Sequence, residues 1–179
     1  MLSRTVALSI GLALLATGAA SAAVIDAQPG GFQVKLTAAV KAPPDRVYAA
    51  LGEIGRWWSS AHSFSGDAHH FSLDLKAGGC LCEALPGGGS AEHQRVVLAS
   101  PGKALVMRGA LGPLQTLGVE GAMQWSIKPA AQGSDVVLTY TAGGYAPGGL
   151  DKLAVPVDQV LGEQLARFKA YVETGKPAP

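Results

Sequence analysis

LDKLAVPVDQVLGEQLARFKAYVET, residues 150–174, is the stretch that decides the fold. Its apolar side chains fall at Leu150, Leu153, Val157, Val160 with Leu161, Leu165, Phe168, and Tyr171 with Val172. Steps of three and four residues put them on one face of a helix. Asp158, Glu163, Arg167 and Lys169 fall between them and read as a solvated face. Pro156 lacks an N–H and its ring crowds the preceding turn, so the helix is expected to bend there. No other long amphipathic helix follows the leader, and almost everything before it alternates like strand. A lone long helix after a run of antiparallel strands predicts an α+β layer, with the helix laid across one face of a sheet.

The chain has 179 residues, and its beginning reads as a leader rather than as fold. Arg4 supplies a positive charge, Val6 to Ala16 is apolar and uncharged, and Ala20-Ser21-Ala22 is a small-residue cleavage site. That is the pattern of a secretory signal peptide over residues 1–22, cut before Ala23. Thr17, Gly18 and Ser21 interrupt it too early for an anchor, which needs about 20 apolar residues. Residues 23–179 are then one domain with no later membrane span. The net charge is +1, and 15% of residues are charged, with no basic run longer than two. Nothing there makes the electrostatic footprint of nucleic-acid binding or of an anionic membrane surface. Low charge with 24 Gly and abundant Ala fits a GC-rich bacterial genome, so the expected compartment is a periplasm or the outside of the cell.

Alternation sets the strands. Phe32, Val34, Leu36, Ala38 and Val40 share one face of a strand over Gly31–Lys41, with residues 23–30 a short lead before it. Ala42-Pro43-Pro44-Asp45 ends that strand and opens a short helix striped by Val47, Tyr48, Leu51 and Ile54. A second short turn is expected after Trp57-Trp58. Strand signal returns at His69, with His69, Phe71, Leu73 and Leu75 on one parity. Further strands read over Cys80–Leu85, Glu92–Ala99, Ala104–Ala110, Val119–Lys128 and Asp135–Ala142, with Gly- or Pro-rich turns between them. Leu111-Gly112-Pro113 reads as a break in the pattern.

That order resembles the helix-grip fold of the SRPBCC superfamily (START-like, birch-pollen-allergen-like). The residues carrying the resemblance are Val40-Lys41-Ala42-Pro43-Pro44-Asp45-Arg46-Val47-Tyr48-Ala49-Ala50-Leu51, Ile54-Gly55-Arg56-Trp57-Trp58, and Gly162-Glu163-Gln164-Leu165-Ala166-Arg167-Phe168. The subgroup the sequence most resembles holds polyketide cyclase-like and heat-shock-ATPase-activator-like domains. The resemblance implies a seven-stranded curved antiparallel sheet around a long C-terminal helix, with two short helices after the first strand and a hydrophobic cavity between sheet and helix. A cytosolic chaperone partner, which the activator label implies, is at odds with the leader.

The leading expectation is an exported protein that holds a small hydrophobic or amphipathic molecule, with no cofactor. The residues expected around it are Phe71, Leu73, Met107, Met123, Trp125 and Tyr140 from the sheet, and Val157, Leu161 and Leu165 from the helix. Trp57, Trp58 and His62 are expected at its mouth. No catalytic residue is assigned, because Ser65, Asp67 and His62 sit in one loop without a nucleophile elbow. The alternative is a cyclase- or hydrolase-type enzyme with His62, His93, Asp67 or Glu83 as acid or base. A third reading rests on Cys80 and Cys82. Two residues apart on a strand, their Cα atoms stand roughly 6.5–7 Å apart, at or beyond the reach of a disulfide unless the strand bends. They are a bent disulfide, free thiols lining the interior, or metal or redox ligands together with His93.

Overall fold

A computed structural model describes residues 21–179. The leader read over residues 1–22 lies outside the described residues except for its last two positions. Strand β1 spans Ser21–Gln28 and β2 Gly31–Val40; helix α1 follows at Pro44–Gly52. Short 3-10 turns at Ile54–Arg56, Ser60–His62 and Ala68–His70 lead to β3, Phe71–Leu73. Then come β4 (Cys80–Ala84), β5 (Ser90–Ser100), β6 (Ala104–Arg108), a 3-10 turn at Gly112–Thr116, β7 (Gly118–Ala130), β8 (Gly133–Tyr145) and α2 (Asp151–Thr174).

The strands form one sheet in the order β1-β2-β8-β7-β6-β5-β4-β3, with every neighbouring pair antiparallel. This is the expected α+β helix-grip arrangement with one more strand than expected. The additional strand is β1, made from the segment read as a lead. It forms because β2 offers an unpaired backbone edge, which Ala22 to Val24 take up in register with Leu36 to Val34. Val24 and Ala27 also pack against the core.

The alternation in β2, β7 and β8 is realised on the inner face: Val34, Leu36, Met123, Trp125, Leu138 and Tyr140 are all buried. α2 packs on this face against β1 and β2. Its buried residues are Ala154, Leu161, Gln164, Leu165, Phe168, Tyr171 and Val172, and Gly175 closes it in the left-handed conformation, its N–H donating to Tyr171 O at 2.8 Å. The helix runs through Pro156 without interruption. The face read as solvated is mostly tied down. Arg167 Nε donates to Trp57 O (3.0 Å), Lys169 pairs with Glu173 (2.5 Å) and Glu163 with His62 (3.1 Å).

At the far edge, one expectation needs correcting. Ala68–His70 is a 3-10 turn rather than the start of a strand, because Asp67 caps it by accepting from His69 N at 2.9 Å. Both histidines are exposed, and the strand ends at Leu73, leaving Leu75 in the following turn.

Candidate functional site

Between the first half of α2 and the β3–β5 end of the sheet lies a cavity of about 630 Å³. That size is ordinary for a small-molecule site. Four segments line it. The loop after α1 gives Trp58, Ala61, His62, Ser63 and Phe64; β3, β4 and β5 give Phe71, Leu81 and His93. Leu111, Gly112, Pro113, Leu114 and Leu117 come from the Gly112–Thr116 turn and its flanks, and Leu153, Pro156, Val157, Val160 and Leu161 from α2. The lining is apolar almost throughout, and its titratable members are the two histidines.

His93 is positioned by an irregularity in the sheet. Leu81 pairs with Gln94 and Cys82 with Glu92, so His93 is the extra residue of a bulge in β5. A bulge re-aims a side chain, and here it puts His93 and Gln94 both inside, breaking the alternation. His93 is 5% exposed and its Nε2 lies 2.9 Å from Oε2 of Glu83, which is 0% exposed. Glu83 also accepts from Phe64 N (3.1 Å) and Ser65 N (2.6 Å). Burial pushes the Glu83 carboxyl up, but the hydrogen bonds from Ser65, His93 and Phe64 outweigh it and hold the group below the usual carboxylate range. The ring of His93 lies against Phe64 and Phe71, with centroids 5.3 and 5.0 Å away.

The proton on that ring follows from its neighbours. Gln115 Nε2 is 3.1 Å from Glu92 O and 3.2 Å from His93 Nδ1. A backbone carbonyl can only accept, so this end of the amide is the donor, and Nδ1 must accept as well. The proton of the neutral ring is therefore on Nε2, donated to Glu83. Both ring nitrogens are engaged, and Gln115 ties the Gly112–Thr116 turn to the cavity wall.

His62, on the loop side, has Nε2 3.1 Å from Glu163 Oε2, while its backbone carbonyl accepts from Trp58 Nε1 at 2.8 Å. Burial raises the Glu163 carboxyl, but hydrogen bonds from Ser59 and His62 lower it overall. Asp67 is bound to His69 (Nδ1 to Oδ1, 2.9 Å) rather than to His62, so the Ser65–Asp67–His62 cluster makes no triad.

Of the residues expected around a ligand, Trp58, His62, Phe71, Val157 and Leu161 line the cavity. Trp57, Leu73, Met107, Met123, Trp125, Tyr140 and Leu165 do not; they are buried in the packed core beside it. There Trp57 meets Phe168 and Trp125 with centroids 5.0 and 6.2 Å away, leaving no space. Trp57 Nε1 donates to Ala50 O (2.8 Å), as a buried indole requires. Tyr140 accepts from Leu111 N (3.3 Å) and donates to Gly109 O (3.4 Å); burial pushes its hydroxyl up to about 12. The residues missed are those of the Leu111–Leu117 segment, together with Phe64, Leu81 and the buried role of Glu83.

Cys80 and Cys82 form a disulfide with Cα atoms 5.3 Å apart, closer than a regular strand allows. Both are half-buried, whereas Leu81 and Glu83 turn inward, so the cysteines face away from the cavity. Two of the earlier readings are thereby corrected. The thiols do not line the interior, and Cys80, Cys82 and His93 do not converge as metal ligands, because the cysteines are bonded to each other on the outer face while the bulge turns His93 inward. Among the described residues no group of three metal-ligating side chains occurs.

A grip helix over a curled antiparallel sheet, with an apolar cavity between them, defines a helix-grip domain. Comparison with known proteins agrees. The chain belongs to the family described as polyketide cyclase / dehydrase and lipid transport, whose model matches residues 31–173. No curated protein matches the sequence. Among solved structures it is similar to a conserved protein of unknown function from Enterococcus faecalis, 14% identical over 88% of this chain and 80% of that one, with a TM-score of 0.62. It is also similar to a protein from Rhizobium leguminosarum, 17% identical over 86% and 97%, TM-score 0.58. CalU16 from Micromonospora echinospora is 16% identical over 90% and 87%, TM-score 0.57. These likenesses are of fold. Among the described residues no helix is long and apolar enough to cross a membrane.

Proposed function

We propose that the protein is an exported carrier that holds a small apolar or amphipathic molecule between α2 and the β3–β5 end of the sheet. The observation that carries this reading is the cavity itself, about 630 Å³ of apolar-lined space under a helix whose other half packs solidly. Family membership supports the ligand class, and the leader together with the Cys80–Cys82 disulfide supports an oxidising compartment. Native mass spectrometry of protein purified from its host tests it, with uptake of the neutral fluorescent dye N-phenyl-1-naphthylamine as a second readout. The expected result is a bound small molecule, or dye binding that Leu114→Trp abolishes without changing the far-ultraviolet circular dichroism. The absence of both a bound molecule and dye uptake in the wild type would sink the proposal.

The Glu83–His93 pair favours a second reading, an acid–base enzyme, since a carboxylate-oriented imidazole in a dry wall suits proton transfer. In the arrangement described, Gln115 has to leave Nδ1 before the ring can exchange a proton with a ligand.

A further inference from the structure

The disulfide and the His93 bulge face each other across the same pair of strands. Cys80 pairs with Arg95 and Cys82 with Glu92, so three residues of β4 stand opposite four of β5. Between the bonded cysteines the β4 backbone covers 5.3 Å. A regular strand would cover roughly 6.5–7 Å over the same step. A contracted strand shortens the ladder available to its neighbour, and the neighbour takes up its excess length by expelling one residue from the pairing. The expelled residue is His93. On the contracted strand, the residue after Cys82 is Glu83, the carboxylate that receives it at 2.9 Å.

We propose that the Cys80–Cys82 disulfide is a positioning device for the polar wall of the cavity: by contracting β4 it maintains the β5 bulge that turns His93 onto Glu83, so the redox state of two outward-facing cysteines sets the shape and polarity of a site on the opposite face. With the bond cleaved, β4 relaxes to the regular rise, the pairing of β5 moves toward one-to-one register, and His93 loses its inward aim. In a sheet, a one-residue shift exchanges faces, so the outcome for His93 is an all-or-none change of environment. Leu81 and Gln94, buried partners in the register, are expected to hold the strands together while this happens.

The ring closed by the bond is only three residues long, so its removal takes little entropic constraint from the unfolded chain and leaves the fold in place. Cleavage by dithiothreitol is thiol–disulfide exchange. The two thiols of the reagent become one intramolecular disulfide, and Cys80 and Cys82 each end as a thiol.

The proposal rests on the carrier reading only for its ligand arm, and the test separates the two. Histidine ring ¹⁵N spectra are recorded on ligand-free protein, oxidised, treated with dithiothreitol, and as the Cys80→Ser/Cys82→Ser double variant. The oxidised protein is expected to show His93 as a single Nε2–H tautomer. Both cleaved forms are expected to show it moved toward the mixed-tautomer pattern of a solvated imidazole, with circular dichroism preserved. Should the double variant fail to fold, the dithiothreitol-treated wild type decides. His93 signals that superimpose in all folded forms would overturn the proposal. In the ligand arm, N-phenyl-1-naphthylamine should leave the cleaved forms about tenfold faster or slower than the oxidised one, the worth of about one hydrogen bond. Unchanged dye release with a displaced His93 would overturn the link to the site, and no dye binding in any form would overturn the carrier reading while the ring spectra still decide the positioning role.

Discussion

Glu83 carries more of this protein than its place in the sequence suggests. It is fully buried, and it receives two backbone N–H groups and an imidazole N–H. Glu83→Ala leaves all three donors without their carboxylate partner, and the expected loss is about 1–3 kcal/mol, read from urea denaturation. The folded-state carboxyl is lowered, so its contribution is complete above the unfolded carboxyl value of about 4.3 and fades as pH falls through the lower folded value. Glu83→Gln should therefore flatten the acid limb of a stability-versus-pH curve below about pH 4.3 relative to the wild type. An unchanged limb would mean that the carboxylate is not what those donors hold. The role of Glu83 was nearly legible. Leu81 and Glu83 share a parity, and an apolar residue commonly marks the inner face, which would have sent the cysteines outward. The burial of His93 was not legible, since a bulge leaves no mark in an alternation pattern and His93 and Gln94 cannot both be inward in a regular strand.

At the scale of elements, the long helix and the broken segment between β6 and β7 make the cavity together. The helix was readable in full because its stripe persists over six turns. The broken segment was read only as an interruption, yet Leu111, Leu114 and Leu117 are an unusual apolar load for a surface loop, and that load was the available signal. Gln115 fastens this segment to His93 and Glu92. Gln115→Ala is expected to release N-phenyl-1-naphthylamine about tenfold faster while leaving the thermal midpoint almost unmoved. Equal release rates would show that Gln115 does not hold the segment over the cavity. In α2, Pro156 leaves the Lys152 carbonyl without its helical N–H partner and lines the cavity. Pro156→Ala is expected to supply that bond, raise stability by up to about 3 kcal/mol, and alter the rate of dye uptake. Stopped-flow traces that overlay those of the wild type would remove Pro156 from the mouth.

For the whole molecule, the sheet has two very different ends. β3 is three residues long and gives little edge to pair with, whereas the other end is β1, eight residues closing over β2 and touching α2. The family match begins at residue 31, so β1 lies outside the matched segment. A chain starting at Gly31 is expected to keep its circular dichroism but to self-associate in size-exclusion chromatography, because it bares the edge of β2. A monomeric profile would show that β1 is dispensable as a cover.

That cover has a consequence for the order of events in the life of the protein. Ser21 pairs with Thr37 and Ala22 with Leu36, so the bond read as the cleavage point, before Ala23, lies within a finished ladder. A peptidase needs its substrate as a free extended thread, and a docked strand withholds it. On the proposed export, trimming comes first and removes the Ser21–Thr37 and Ala22–Leu36 pairs, and the strand that then docks on β2 is Ala23 to Gln28. β1 would then be laid down only after the cut, a seal applied once the chain has left the translocation machinery.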